Sequence, residues 1–323
     1  MQSSFFLNFF DDYAIVSRSL SKRMKQLKFL AKLTIITMLL VMLFGCTAKQ
    51  NASVAATTLP VWQFTTILCE GTPVTAKRLV TEEVSCLHDY TLTVRQMKAI
   101  ESADVVILSG AGLEEFLDDA LTGAKTTIDA STGIELLEGG CHHHDHEQAH
   151  HEEEHHDHEM DSHIWLSPVC AMEMSRNICA GLCEAYPEYA PVFQENLETL
   201  LRKLQTLDDY ARDSLSSLPG HEIIAFHDGF GYLCHEYGIE ILEAIEEESG
   251  SEPSAQELIH LIELVQEHQV GAIFVEANGS GSAASIIAAE TGAKLYTLDM
   301  AMAGDDYFAA MYRNIDTLKE ALG

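Results

Sequence analysis

Short apolar, β-branched runs alternate with segments of helical periodicity along most of the chain after residue 52. The short runs predict seven strands, at 54–58, 74–80, 105–109, 126–130, 222–226, 270–275 and 294–298. The helical segments are predicted at 94–102, 113–121, 254–269, 283–291 and 305–322. Ser254 and Glu257 form a capping box at the start of one of them. Alternation of this kind predicts an α/β fold, with parallel sheets covered by helices.

One longer segment, 190–218, predicts a single helix. Its apolar residues recur at steps of three and four: Phe193, Leu197, Leu200, Leu204, Leu207, Ala211, Leu215 and Leu218. At ~1.5 Å per residue, such a helix spans roughly 40 Å, which is the width of a domain. We interpret it as a linking helix that bridges two α/β lobes, at 53–185 and 219–323. An ordinary long core helix is the alternative.

The amino-terminal segment has the pattern of an export signal. Six basic residues precede or flank the start of an apolar stretch at 33–45, and Cys46 follows directly. This stretch is shorter than the about 20 apolar residues of a membrane span, so we expect a signal peptide at 1–45. The run Leu43-Phe44-Gly45-Cys46 resembles a bacterial lipobox, which predicts lipidation of Cys46 and a tether at 46–52. An uncleaved anchor is the alternative, and a start at Met24 would leave residues 1–23 untranslated.

Charge narrows the classes of partner. The formal net charge is −31, and six of the nineteen Lys and Arg residues lie before Cys46. Binding of nucleic acid or of anionic lipid headgroups needs clustered positive charge on the protein, so neither is expected as a partner. The negative charge is suited instead to a protein that binds cations. Seven cysteines follow Cys46, an odd and unpatterned set that predicts no disulfide framework.

Three histidines and one carboxylate occupy positions suited to a binding site. His88 and His227 follow predicted strands, Asp299 ends another, and His163 precedes Ser167-Pro168, which is typical of a helix start. Ligands of open α/β sheets bind beyond the carboxyl ends of strands. A single histidine is nevertheless more often a core or surface residue than a ligand.

Five ordered motifs resemble one known family. They are His-Asp-Tyr at 88–90, Ala-Asp-Val-Val at 103–106 with Gly-Ala-Gly-Leu-Glu at 110–114, His-Ile-Trp-Leu-Ser-Pro at 163–168, Ala-Phe-His-Asp at 225–228 and Glu-Pro-Ser at 252–254. With these motifs, nearly everything after Cys46 resembles the metal-binding receptors of bacterial zinc and manganese ABC importers, also called cluster A-I. Leu87 and Ser162 replace prolines that usually precede the first two histidines of that family.

The resemblance implies a ligand set and a metal. His88, His163 and His227 match the family's histidine ligands and Asp299 its carboxylate, and these donors suit tetrahedral Zn(II). Manganese receptors of the family tend to place a carboxylate where His227 stands, and calcium and magnesium prefer all-oxygen shells. The ligands come from both sides of the linking helix, so the metal is expected in the cleft between the lobes. Cys86 is a rival ligand, and Asp89 and Asp228 are candidates to orient the imidazoles.

A segment at 141–161 is almost entirely His, Glu and Asp, a composition that cannot build a core. Its nine histidines are His142, His143, His144, His146, His150, His151, His155, His156 and His158. Imidazoles with an ordinary pKa near 6.5 can coordinate metal at neutral pH. We expect a loop that binds several zinc ions weakly and does not form the tight site.

The function implied by the resemblance is capture of Zn(II) outside the cytoplasm for an ABC importer. The expected partners are its permease and ATPase and, through a lipid anchor, the membrane. The protein is expected to be a monomer, either in the periplasm or at the outer face of the cytoplasmic membrane. A manganese receptor, an exported zinc hydrolase, and an adhesin or zinc buffer are the alternatives. The chain lacks a Gly-x-Ser-x-Gly motif, and its two His-Glu-x-x-His matches, at 146–150 and 151–155, lie in the segment that cannot build a core, so we expect no enzyme.

Overall fold

The computed structural model describes residues 52–82, 87, 90–139, 160–218, 220–227, 229–246, 253–277 and 281–323, together with Met24. The residues from Ala52 to Gly323 form one compact unit. The predicted signal peptide apart from Met24, Cys46 and nearly all of the histidine-rich segment lie outside the described residues. Within the described ranges, no helix combines the length and apolarity needed to cross a bilayer.

The first half of the unit contains a four-stranded sheet, all parallel, in the order β2-β1-β3-β4. Its strands are β1 Ser53–Ala56, β2 Thr75–Arg78, β3 Val105–Leu108 and β4 Thr127–Asp129. The α-helices of this half are α1 Leu59–Leu68, α2 Val94–Ser102, α3 Asp118–Leu121 and α4 Pro168–Ala185. Short 3-10 helices occur at Glu115–Leu117, Ile164–Leu166 and Pro187–Tyr189.

The long helix α5, Ala190–Leu215, comes between the first sheet and a second one in the chain. The second sheet is also four-stranded and parallel, in the order β6-β5-β7-β8. Its strands are β5 Glu222–His227, β6 Glu240–Glu246, β7 Ala272–Glu276 and β8 Lys294–Leu298. The helices of this half are α6 Gly231–Tyr237, α7 Ala255–His268, α8 Ser282–Thr291 and α9 Tyr307–Leu322. The predicted α/β fold with two parallel sheets is confirmed.

Helix α5 contacts elements of both halves. Near its start, Asn196 Nδ2 donates to the carbonyl oxygen of Leu68, at the end of α1, at 2.9 Å. Farther along, the Tyr210 hydroxyl donates to Asp316 of α9 at 2.5 Å. Six of the eight residues in the predicted apolar stripe lie within the helix and are buried: Phe193, Leu200, Leu204, Leu207, Ala211 and Leu215. The helix therefore bridges the two halves while burying one face in the core.

Three helices and strands were not predicted, α1, α6 and β6, and of α4 only the start was predicted. One predicted helix, at 113–121, is instead a 3-10 turn followed by the single turn of α3. Backbone angles account for the late start of these turns, because Gly110, Ala111 and Gly112, just before the predicted helix, all have positive φ. The carboxylate of Glu114 then folds back onto the backbone N–H groups of Ser109 and Gly110, at 2.7 and 3.0 Å. A continuous helix cannot begin while the chain turns to make these contacts.

Both sheets have the same strand order. In each, the first strand in the chain lies between the second, which is at the edge of the sheet, and the third. The direction of the crossovers thus reverses between β1 and β3, and again between β5 and β7, which is where open α/β sheets bind ligands. Beyond β1, Glu114 fills this position in the first sheet, since it also accepts from the Thr57 hydroxyl at 2.5 Å. In the second sheet, His227 ends β5 and Glu276 ends β7.

The segment that follows β8 is held against the first half of the unit. The indole Nε1 of Trp165 donates to the carbonyl oxygen of Met300 at 2.7 Å. The Tyr307 hydroxyl donates back to the carbonyl oxygen of Trp165, also at 2.7 Å. Arg78, at the end of β2, donates to the carbonyl oxygen of Gly304 at 2.6 Å. These contacts place Asp299 and Met300 at the junction of the two halves.

Candidate metal-binding site

His163 lies between the end of the histidine-rich segment and the start of α4. It directly precedes the 3-10 turn Ile164–Leu166, and Ser167 then caps α4 by accepting from the backbone N–H of Cys170 at 3.2 Å. The predicted helix start at Ser167-Pro168 is confirmed. Because Trp165 and Leu166 are fully buried, the backbone around His163 is fixed by the core.

His227 approaches His163 from the second sheet. The two imidazole rings meet edge to face, with centroids 5.4 Å apart and an angle of 89° between their planes. Both side chains are buried: His163 is 4% exposed and His227 5%. The structure therefore brings together two of the four predicted ligands, one from each half of the unit.

Asp161 orients His163. Its Oδ1 lies 2.8 Å from Nδ1 of His163 and also accepts the backbone N–H of that residue at 2.8 Å. An ionised carboxylate can only accept hydrogen bonds, so the proton of a neutral imidazole is placed on Nδ1. That leaves the lone pair of Nε2 available to a metal, an arrangement common among metal-binding histidines. The composition of the 141–161 segment predicts a loop position for Asp161, but the residue is 6% exposed.

The ends of the histidine-rich segment meet close to this pair. Glu138 and Met160 form an isolated antiparallel bridge, and the backbone N–H of Asp161 donates to Leu137 at 2.9 Å. The Tyr232 hydroxyl donates to the carbonyl oxygen of Asp161 at 3.1 Å and accepts from Leu137 N–H at 2.9 Å. The chain before residue 140 and the chain after residue 159 are therefore paired with each other just before His163.

Two glycines leave room for the site. A Cβ on Gly229 would lie 3.0 Å from Cδ2 of His227 and 3.2 Å from Cε1 of His163. It would lie only 2.5 Å from the terminal methyl of Met300, so Met300 also lines the site. A Cβ on Gly231 would lie 2.7 Å from Oδ2 of Asp161. Any larger residue at either position would press on the histidines or on the carboxylate that orients one of them.

Asp299 is next to Met300 in the chain, but its carboxylate contacts other groups. Oδ1 accepts the backbone N–H of Ala301 at 2.8 Å, and Oδ2 accepts from Arg313 at 2.9 Å. Asn314 holds the backbone of Asp299 with two hydrogen bonds, of 2.8 and 2.6 Å. The structure thus fixes the position of Asp299 and pairs its carboxylate with a guanidinium group.

Glu276 is a further carboxylate on the same edge of the second sheet. Strand β5 pairs with β7 through Ile224–Ile273 and Ala225–Phe274. The same register, extended by two residues, places Glu276 beside His227, and Glu276 is 5% exposed. The site therefore contains buried carboxylates that the motifs did not indicate.

Several predicted residues lie outside the described ranges: His88, Cys86, Asp89, Asp228 and the nine histidines of the 141–161 segment. Among the residues that the structure describes, no group of three or more His, Cys, Asp and Glu side chains is arranged to hold a metal ion. The described part of the site consists of two perpendicular imidazoles, one of them oriented by a carboxylate. Such a pair offers two nitrogen donors, which suits a borderline transition metal.

Solved structures share this fold. The chain superposes on a crystal structure of ZnuA with a TM-score of 0.71 at 27% identity, covering 84% of this chain and 100% of that one. It superposes on the Zn(II)-bound ZnuA-like domain of Streptococcus pneumoniae AdcA with a TM-score of 0.69, also at 27% identity. That match covers 84% of this chain and 99% of the domain.

Sequence comparison leads to the same group. The chain is 31% identical over 293 residues to the zinc-binding protein AdcA of Streptococcus pyogenes serotype M3, covering 84% of this chain but 56% of AdcA. The chain thus spans little more than half the length of that relative. It is 33% identical over 247 residues to the high-affinity zinc uptake system protein ZnuA of Bacillus subtilis, covering 73% of this chain and 77% of ZnuA. Residues 54–321 match the family described as zinc-uptake complex component A, periplasmic, and the chain belongs to that family.

Proposed function

We propose that this protein captures Zn(II) outside the cytoplasm and delivers it to an ABC-type metal importer. The observation that carries the proposal is the buried pair of His163 and His227, which meet at 5.4 Å between ring centroids. The pair lies where the strand order of the second sheet reverses, and Asp161 presents one imidazole for coordination through Nε2. The names of the relatives, a zinc-binding protein and a zinc uptake component, support the choice of metal.

The proposed ligands are His88, His163, His227 and Asp299. Three imidazoles and one carboxylate form a tetrahedral shell that suits zinc, with bonds of about 2.0–2.2 Å. A carboxylate at the position of His227 would favour a harder ion such as manganese. Because His227 supplies a nitrogen donor instead, we expect the site to prefer zinc. Dehydration of the ion is offset by the buried carboxylates near the site, which supply negative charge.

The rest of the chain is assigned by the same proposal. Residues 53–185 and 219–323 form two lobes joined by the 190–218 helix, and the metal lies between them. Residues 1–45 are a signal peptide, and Cys46 carries a lipid that holds the protein at the outer face of the cytoplasmic membrane. The histidine-rich segment collects zinc weakly beside the tight site. The partners are the permease and ATPase of the importer, and the receptor acts as a monomer.

A zinc hydrolase is the principal alternative of another class. It would need an open coordination position with water and a nearby general base. The family is one of zinc-uptake components, which favours transport over catalysis. We therefore propose that the protein is no enzyme. Growth of a deletion strain separates a receptor from a zinc buffer that serves no transporter. Loss of an importer receptor should impair growth only when a chelator limits zinc.

Zinc titration tests the binding proposal directly. Residues 142–159 should be replaced by a short glycine-serine linker, which keeps the Glu138–Met160 bridge and Asp161 in place. We expect the replacement to lower the total zinc bound per chain and to leave one tight site. At a thousandfold excess over Kd, zinc should stabilise this variant by about 4 kcal/mol, seen as a rise in Tm. The proposal fails if the tight site and the rise in Tm disappear with the loop.

A further inference from the structure

Arg313 contacts the carboxylate that we propose as the fourth ligand. Its Nη2 lies 2.9 Å from Oδ2 of Asp299. The other oxygen, Oδ1, accepts the backbone N–H of Ala301 at 2.8 Å. Each oxygen of Asp299 therefore already has a donor, and one of these donors carries a full positive charge.

Helix α9 both positions Asp299 and supplies its counter-ion. Asn314, which is 1% exposed, exchanges two hydrogen bonds with the backbone of Asp299. Its neighbour Arg313 points outward, with a side chain that is 63% exposed, and reaches the carboxylate from the solvent side. The backbone of Asp299 is thus fixed by a buried residue, while its charge is paired by an exposed and movable one.

A metal ion and the guanidinium group would compete for the same oxygen. A cation that coordinates Oδ2 must displace Arg313 or share the oxygen with it, and two positive charges at one oxygen repel each other. We propose that Arg313 is a specificity-determining residue, which penalises metal ions that depend on Asp299 for binding. This inference rests on the proposed function, since it takes the metal site to include Asp299.

The penalty differs between metals. Zinc is stable with three histidines and a water in the fourth position, so it can escape the competition by binding without Asp299. Manganese prefers oxygen ligands, so loss of the Asp299 carboxylate from its coordination shell weakens its binding more than it weakens the binding of zinc. Arg313 therefore disfavours manganese more than zinc, and so adds to the discrimination provided by the imidazoles.

The size of the change in metal affinity depends on how exposed Asp299 and Arg313 are to solvent. Asp299 has a side chain that is 30% exposed, so the pair with Arg313 is screened by water. Exposed pairs of this kind correspond to at most about a fivefold change in an equilibrium constant. Removing Arg313 should tighten Mn²⁺ binding by up to about fivefold and Zn²⁺ binding by less.

Competition titrations with Zn²⁺ and Mn²⁺ test the proposal in the chain with residues 142–159 replaced. Arg313→Gln should lower the ratio of manganese Kd to zinc Kd by at least about twofold. Lys319→Gln removes the same charge from an exposed position about 9 Å farther along α9, which is more than one Debye length at physiological salt. That control variant should leave the ratio unchanged.

Asp299→Asn separates this proposal from the proposed function. In the Asp299→Asn background, Arg313→Gln should change neither Kd, because the shared oxygen no longer carries a charge. The proposal is overturned if Arg313→Gln leaves the ratio at its original value, raises it, or acts equally well without Asp299. Absence of measurable Mn²⁺ binding in both forms also overturns it. Failure of the proposed function gives a different result, because His163→Ala would then leave the tight zinc site intact.

Discussion

Replacing Gly229 by alanine should weaken zinc binding without removing any proposed ligand. The added Cβ would lie 3.0 Å from Cδ2 of His227, 3.2 Å from Cε1 of His163 and 2.5 Å from the methyl of Met300. Carbon atoms pack best at about 3.5–4.0 Å, so the methyl must move by about 1 Å and the rings by a few tenths. Met300 can change rotamer, whereas the ring of His163 is held at 2.8 Å by Asp161.

The expected loss of affinity is comparable to that from disturbing a residue that supports a metal ligand, about 10–100-fold in Kd. Overpacking should also cost about 1–3 kcal/mol of folding free energy. Gly271→Ala is a matched control, because it adds the same methyl beside a strand of the same sheet with nothing within 4 Å. For both variants, competition titration with a chromophoric zinc chelator measures the zinc Kd, and urea unfolding measures the free energy of unfolding. If Gly229→Ala binds zinc as tightly as Gly271→Ala, the proposed geometry of the site is wrong.

Three further predictions concern single groups. Asp161→Asn should raise the zinc Kd about 10–100-fold, while Asp208→Asn, a buried aspartate bonded to Tyr237 and Arg212, should lower stability and leave Kd unchanged. Burial raises the pKa of Glu114 from 4.5 to about 7, so its contribution to stability is present below pH 4.5 and is lost as pH rises through 7. Glu114→Gln should therefore flatten the fall in unfolding free energy between pH 5 and pH 7.5, measured with urea, and an unchanged slope would contradict this assignment. Burial raises the pKa of the Cys69 and Cys234 thiols to about 12, so mass spectrometry should find both unmodified by iodoacetamide at pH 8 until the chain is unfolded.

Periodic patterns made much of the fold predictable. Strand β8 begins and ends where the sequence predicted, at Lys294 and Leu298. Helix α2 also has its predicted bounds, and Thr93 and Gln96 form a capping box at its start. Helix α7 begins after the predicted capping box of Ser254 and Glu257. Signals of this kind lie within a few consecutive residues, so they can be recognised without knowledge of the tertiary structure.

Elements with weak local signals were missed. Helix α1 has apolar residues over most of its surface, so it shows little amphipathic periodicity from Leu59 to Leu68. Strand β6 carries three glutamates in seven residues and lies at the edge of its sheet, where one side needs no partner. Composition alone also places Asp161 in the 141–161 loop, although the structure buries it in contact with His163.

The candidate site shows the same limit. The histidine motifs predicted residues that the fold brings together, since His163 and His227 are separated by 64 positions in the chain and meet in space. The contact of Arg313 with Asp299 depends on how α9 packs after β8, and no local pattern encodes that packing. Residues that support or compete with the ligands therefore required the structure.

The location of bound zinc tests the central claim most directly. A crystal of the chain with residues 142–159 replaced, loaded with one equivalent of Zn²⁺, should be measured at the zinc absorption edge. We predict one anomalous peak, about 2.0–2.1 Å from Nε2 of His163 and from a ring nitrogen of His227. His88 and Asp299 should complete the shell. A peak that contacts neither His163 nor His227 would contradict the account.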